Sequence, residues 1–212
     1  MAKLTPAEFF AKYAKAAQDT CHGTGLCASV CLAQAAIESG WGGSGLAANY
    51  NNFGGIKAAW DWKGKSVGFN TREVIKGQNV VVKALFRVYD SAAHYFKGRM
   101  EFLRANPRYR RLFAADNYVS EAQAFQAAGY ATDPHYAATL ISVVAKYGLT
   151  KYDVVSGVAD PALAAALFPI PIAAIQGALN QLGHQVVVDG KLGPRTLAAI
   201  NGADATQLLA TI

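Results

Sequence analysis

With 212 residues, 52% hydrophobic and 16% charged, the chain is long enough for one sizeable core, or for a domain of roughly 150 residues with a small second module, and its composition excludes a disordered polymer. A formal net charge of +6 favours an anionic partner. The densest basic stretch, Arg104 to Arg111, is interrupted by Asn106, Pro107 and Tyr109, so it lacks the continuous footprint of a nucleic-acid binder and no nucleic acid is expected.

Met1 to Phe10 shows no apolar core followed by a small-residue cleavage site, so no secretory signal is read and synthesis in the cytoplasm is expected. Thr5-Pro6-Ala7-Glu8 opens an apolar-periodic segment through Phe9, Phe10, Tyr13 and Ala17, the pattern of a capped helix with proline in its first turn. Cys21, Cys27 and Cys31 are odd in number and clustered, unlike the paired framework of a small secreted domain, although one local disulfide stays open. They contain no paired C-x-x-C, so neither a metal nor a cofactor is expected.

A second helix is predicted from about Gly25 to Ser39, with Leu26, Val30, Ala33 and Ile37 as its apolar stripe and Glu38 beside that stripe. Gly40, Gly42, Gly43 and Gly45 end it, and Asn49 to Lys57 reads as a shaped loop. Ser66 to Ile75 and Asn79 to Tyr89 form a predicted hairpin around Lys76-Gly77-Gln78. Three helices come next: one capped by Ser91 through Leu103, one capped by Ser120 through Ala128, and one opened by Asp133-Pro134 and reaching Tyr147.

After Lys151 the composition turns rich in Ala and Pro, which places a linker at 153–169 between a first domain, 1–152, and a small helical module, 170–212. The tail's Asp189-Gly-Lys-Leu-Gly-Pro194 reads as a tight turn into a helix over Arg195 to Ile200. Its most apolar part, Pro161 to Leu182, is broken by Pro169 and Pro171, so no stable membrane insertion is expected.

Glu38 ends a helix between apolar Ile37 and Trp41. The helix dipole and partial desolvation both disfavour its charged form there, as a general acid requires, although position alone favours a solvated surface glutamate. Glu73 shares a strand face with Val67, Phe69, Thr71 and Ile75. From there it serves to activate water or to stabilise a cationic sugar, or else it points to solvent at a strand end. Tyr130 and Tyr136 flank the start of a helix, and their rings suit sugar faces, as do those of Trp41, Tyr50, Phe53 and Trp60, each of which equally suits a core. Asp133 is given a structural role, as helix N-cap. His22, His94, His135 and His184 form no triad.

Four ordered blocks, Ala33-Gln-Ala-Ala-Ile-Glu-Ser-Gly-Trp-Gly42, Asn51-Asn-Phe-Gly-Gly-Ile-Lys57, Phe86-Arg-Val-Tyr-Asp-Ser91 and Gly129-Tyr-Ala-Thr-Asp-Pro-His-Tyr136, resemble the glucosaminidase domain of flagellar peptidoglycan hydrolases, autolysins and phage lysins. The resemblance implies a mainly α, lysozyme-like catalytic domain with a small β-hairpin lobe (α+β) and a groove. It makes Glu38 the catalytic glutamate, Glu73 the second acid on the β-lobe, and Tyr130 the functional tyrosine. Substrate contacts are then expected of Trp41, Asn52, Phe53 and Tyr136. Leu179-Asn-Gln-Leu-Gly183 and Val188 to Ile200 resemble a peptidoglycan-binding module.

The implied protein is a monomeric phage-type endolysin that acts on peptidoglycan glycan strands in the cell wall as an endo-β-N-acetylglucosaminidase. The rival readings are a muramidase or lytic transglycosylase on the same scaffold, and a non-catalytic wall-binding protein.

Overall fold

The computed structural model describes residues 4–21, 24–59, 62–75, 78–115, 117–153, 158–167, 170–190 and 192–212. The chain divides into two compact units, Met1–Thr20 with Leu32–Asn106, and Cys21–Cys31 with Pro107–Ile212.

In the first unit, α1 (Pro6–Cys21) starts where the sequence pattern places it. The Thr5 amide donates to Glu8 Oε2 at 2.9 Å and the Glu8 amide to Thr5 Oγ1 at 3.3 Å, a reciprocal capping box. The second helix, α2 (Ala28–Glu38), carries no charge before its last residue, and every side chain from Ala28 to Ala36 is buried. A helix with so little polar surface folds only when covered on all sides. The short α3 (Gly45–Tyr50) is capped by Ser44 and closed by Asn51 in the left-handed conformation.

Strands β1 (Ser66–Ile75) and β2 (Gln78–Arg87) form the expected antiparallel hairpin, with Val67 opposite Phe86 and Ile75 opposite Gln78. Its Val67, Phe69, Thr71, Val82, Ala84 and Phe86 side is at least half-covered, whereas Gly68, Asn70, Val81, Lys83 and Leu85 are exposed, the two-residue alternation of a one-sided sheet. Helix α4 (Ala92–Ala105) has Ser91 as its N-cap, as predicted, the Ser91 hydroxyl accepting from the His94 amide. Phe9, Tyr13, Phe53, Tyr95 and Phe96 join edge to face in this unit's aromatic core.

The second unit contains a 3-10 helix (Pro107–Ala114), α5 (Tyr118–Ala127), α6 (Tyr136–Lys146) and a 3-10 turn (Leu149–Tyr152). Two of the expected caps are corrected here. Helix α5 is capped by Asn117, whose Oδ1 accepts from the Val119 and Ser120 amides, and Ser120 is the third helical residue that completes the box. Asp133 accepts from the His135 amide at 2.8 Å, an Asx turn ahead of α6 rather than its cap, because the helix begins only at Tyr136.

The tail packs α7 (Pro161–Leu167), α8 (Ile172–Gln181), α9 (Pro194–Gly202) and α10 (Ala205–Thr211) around Leu163, Leu167, Ile175, Leu179, Ile200 and Leu208. Helix α7 lies within the stretch read from composition as a linker, and its leucines belong to this core. Buried Gln176 organises the Asp-Gly turn: its Oε1 accepts from the Asp189 and Gly190 amides, and its Nε2 donates to Asp189 Oδ1 at 2.8 Å. Among the described residues, no helix is long and apolar enough to cross a membrane.

Candidate active site

Glu38 is where α2 reaches solvent. Ile37 is half-buried and Glu38 exposed, after nine buried residues in succession. This corrects the expectation of partial desolvation: of the two influences argued from sequence, only the helix C-terminus is present.

The backbone just beyond Glu38 is tightly constrained. Gly40, Trp41 and Gly42 all have positive φ, at 55°, 61° and 77°. For tryptophan this conformation costs on the order of 1–3 kcal/mol. The turn is held by the Trp41 amide on Ala36 O at 2.8 Å, and by Ser39, whose buried hydroxyl donates to Ala35 O at 2.6 Å and accepts from the Gly42 amide at 2.8 Å. The Trp41 ring, half-buried, stands edge-on to Phe9 and Phe10, with centroids 6.0 and 5.5 Å away. An acid and an aromatic ring are thus fixed three residues apart on one rigid turn, which suits a sugar-binding acid.

Asn52 and Phe53, expected to touch substrate, are each only 1% exposed. Asn52 Nδ2 donates to Ile56 O and Arg87 O, each at 2.9 Å, and its Oδ1 accepts from the Ile56 amide, so this side chain ties the loop to the end of β2. Phe53 lies in the aromatic core, 6.3 Å from Phe96 and parallel to it within 5°. Both side chains serve the packing of this loop.

Tyr50, half-buried, packs edge-on against Phe69 of β1. Trp60 and His22 lie outside the described residues. The hairpin register sets Glu73 opposite Val80, on the side that carries Val67, Phe69 and Thr71. The Glu73 side chain lies outside what the structure describes.

In the second unit Tyr130 and Tyr136 come together, stacked with centroids 5.7 Å apart and planes 22° from parallel. Phe125 and Tyr109 back Tyr130. Tyr136 is 5% exposed and Tyr130 half-buried. That burial makes Tyr130 the more open ring of the pair.

Sequence reasoning missed three polar residues that hold α2. Arg99 of α4, 1% exposed, donates through Nε to Gln34 Oε1 at 2.8 Å and through Nη2 to the same oxygen. Glu121 of α5, fully buried, accepts from the Cys27 amide at 2.6 Å. Asp153 accepts from the Ser29 amide at 2.6 Å and the Ser29 hydroxyl at 2.5 Å. Burial lifts the Asp153 carboxyl from its ordinary 3.8 to about 6, although both Ser29 bonds oppose this. Burial first, and then the Glu121 and Asp153 charges, push the Cys27 thiol well above its usual range. Cys21 and Cys31 are buried and Cys27 is half-buried.

Residues 14–149 match the family described as mannosyl-glycoprotein endo-beta-N-acetylglucosaminidase. The chain belongs to this glucosaminidase family. A second match, over 170–212, is to the family described as a predicted peptidoglycan domain. The glucosaminidase region is 39% identical over 133 residues to the exo-glucosaminidase LytG of Bacillus subtilis, covering 60% of this chain and 46% of that protein. It is 40% identical over 141 residues to the peptidoglycan hydrolase FlgJ of Escherichia coli K12, covering 64% of this chain and 45% of FlgJ. The chain therefore spans less than half the length of these relatives.

Among solved structures, the catalytic domain of the autolysin Auto from Listeria monocytogenes superposes with a TM-score of 0.64 at 31% identity, covering 72% of this chain and 91% of that one. The mainly helical glucosaminidase fold with its two-stranded sheet is the lysozyme-like class expected from the sequence.

Proposed function

We propose that this glucosaminidase-family chain hydrolyses peptidoglycan glycan strands as an endo-β-N-acetylglucosaminidase, with Glu38 as its general acid. The observation that carries the proposal is the single carboxylate of α2, delivered to the surface beside a strained, packed turn that presents Trp41. A glycosidic oxygen is a poor leaving group until it is protonated, and a carboxylic acid carried at a helix end beside an aromatic ring is a group that can supply that proton. The relatives named as a glucosaminidase and a peptidoglycan hydrolase support the same chemistry.

In this reading the Glu38 proton passes to the leaving oxygen as the anomeric C–O bond breaks. The developing positive charge is met on the other face either by Glu73 or by the acetamido oxygen of the substrate itself, and water then completes hydrolysis. Tyr130 supplies a ring and hydroxyl for the sugar. The module that includes 170–212 binds the wall and raises the local concentration of glycan for the catalytic domain. The phage-type endolysin role belongs to this reading and rests on that pairing of domains.

The test is Glu38→Gln. It should abolish clearing of purified cell walls while leaving wall pelleting and the melting temperature unchanged. Full clearing by Glu38→Gln would show that the acid lies elsewhere.

A further inference from the structure

The start of α2 is held by residues far away in sequence. Cys27 occupies the N-cap position, its carbonyl accepting from the Cys31 amide at 3.1 Å. A thiol is a poor acceptor for the open amides of a first turn, where Ser, Thr, Asp or Asn would ordinarily stand. Two carboxylates distant in sequence take that role instead. Glu121, 94 residues away, takes the Cys27 amide, the bond that a glutamate in the helix's own first turn makes in a capping box. Asp153, 124 residues away, takes the Ser29 amide and its fully buried hydroxyl.

Ionisation of Asp153 works against the fold. A carboxyl that burial lifts to about 6 despite two hydrogen bonds is, when charged at neutral pH, a net burden on the fold. In some proteins, buried ionic groups fix one geometry among several at a cost in stability. Because α2 is a single rigid rod, fixing its first turn fixes the position of its last residue, and that residue is Glu38.

We propose that Glu121 and Asp153 are positioning residues that clamp the N-terminal turn of α2 and thereby set the reach of Glu38 toward the scissile bond. The working catalytic unit then includes Asp153, which lies outside the 14–149 family match. This proposal rests on the reading of Glu38 as the acid.

The experiment compares the full-length wild type with Asp153→Ala, Asp153→Asn, Glu121→Gln and Glu38→Gln. It measures kcat and KM on soluble glycan strands at a temperature where melting curves show each variant folded. Misplacing a catalytic group by about an ångström costs up to about 100-fold. Asp153→Ala should lower kcat by about tenfold or more with KM within twofold of wild type. Asp153→Asn and Glu121→Gln, which keep an acceptor oxygen, should recover most of the rate. A wild-type kcat in folded Asp153→Ala would overturn the clamp, as would a loss shared equally by Asp153→Ala and Asp153→Asn. If Asp153→Ala does not fold, Ser29→Ala, which removes only the hydroxyl bond, should give the same split between kcat and KM, and a wild-type kcat there would likewise overturn the clamp. Inactive Glu38→Gln beside fully active Asp153→Ala sinks the clamp alone. Active Glu38→Gln sinks both readings.

Discussion

Replacing Asp153 with asparagine should change the pH dependence of stability in a defined direction. The folded-state carboxyl sits at about 6, above its ordinary 3.8. Between those values the native protein holds a proton that the unfolded chain has released, so this group's contribution is fully present below pH 3.8 and is lost as pH rises through 6. At about 1.4 kcal/mol for each pH unit of that gap, the loss is about 3 kcal/mol. For a chain of this length that corresponds to roughly 6–12 °C of melting temperature. Asparagine has no proton to release, so the melting-temperature difference between Asp153→Asn and wild type should move in favour of the variant by that amount from about pH 4 to about pH 7.5. Calorimetry across that range at constant ionic strength reads it directly. A difference that stays constant, or that moves toward the wild type, would refute the assignment of a buried, costly carboxylate.

Two further substitutions probe the packing on either side. A Cβ on Gly98 would lie 2.5 Å from the ring of buried Tyr89, so Gly98→Ala should destabilise by about 1–3 kcal/mol, read as a lower melting temperature with unchanged KM. Gln176→Ala removes three hydrogen bonds that hold the tail's Asp189-Gly190 turn to α8. It should weaken wall pelleting while hydrolysis of soluble glycan strands stays at wild-type rate, because those strands do not need the tether.

Helices α1 and α4 and the hairpin are legible because each rests on local signals: the Thr5 and Glu8 box, the Ser91 cap, and the alternation along Ser66 to Arg87. Glu38 was legible for the same reason, at the end of a periodic apolar segment before a glycine cluster. Its exposure was not, since apolar neighbours in sequence do not establish cover in space. Asn52 and Phe53 show the converse: in this chain they anchor a loop to Ile56 and Arg87 and fill an aromatic core. The capping of α2 by Glu121 and Asp153 had no local trace, because nothing in Leu26-Cys27-Ala28-Ser29 announces that its amides are satisfied across 94 and 124 residues. Asp133 and Ser120 read as caps on residue type alone, and only the hydrogen bonds distinguish an Asx turn and a box partner from a cap.

The central claim, cleavage at the N-acetylglucosaminyl bond with Glu38 as acid, is tested most directly at the ends of the products. Purified peptidoglycan digested by wild type and by Glu38→Gln, reduced with borohydride and resolved by mass spectrometry, should show reduced N-acetylglucosamine ends with the wild type and none with the variant. Reduced or anhydro N-acetylmuramic acid ends from the wild type would contradict the bond assignment, and unchanged products from Glu38→Gln would contradict the acid.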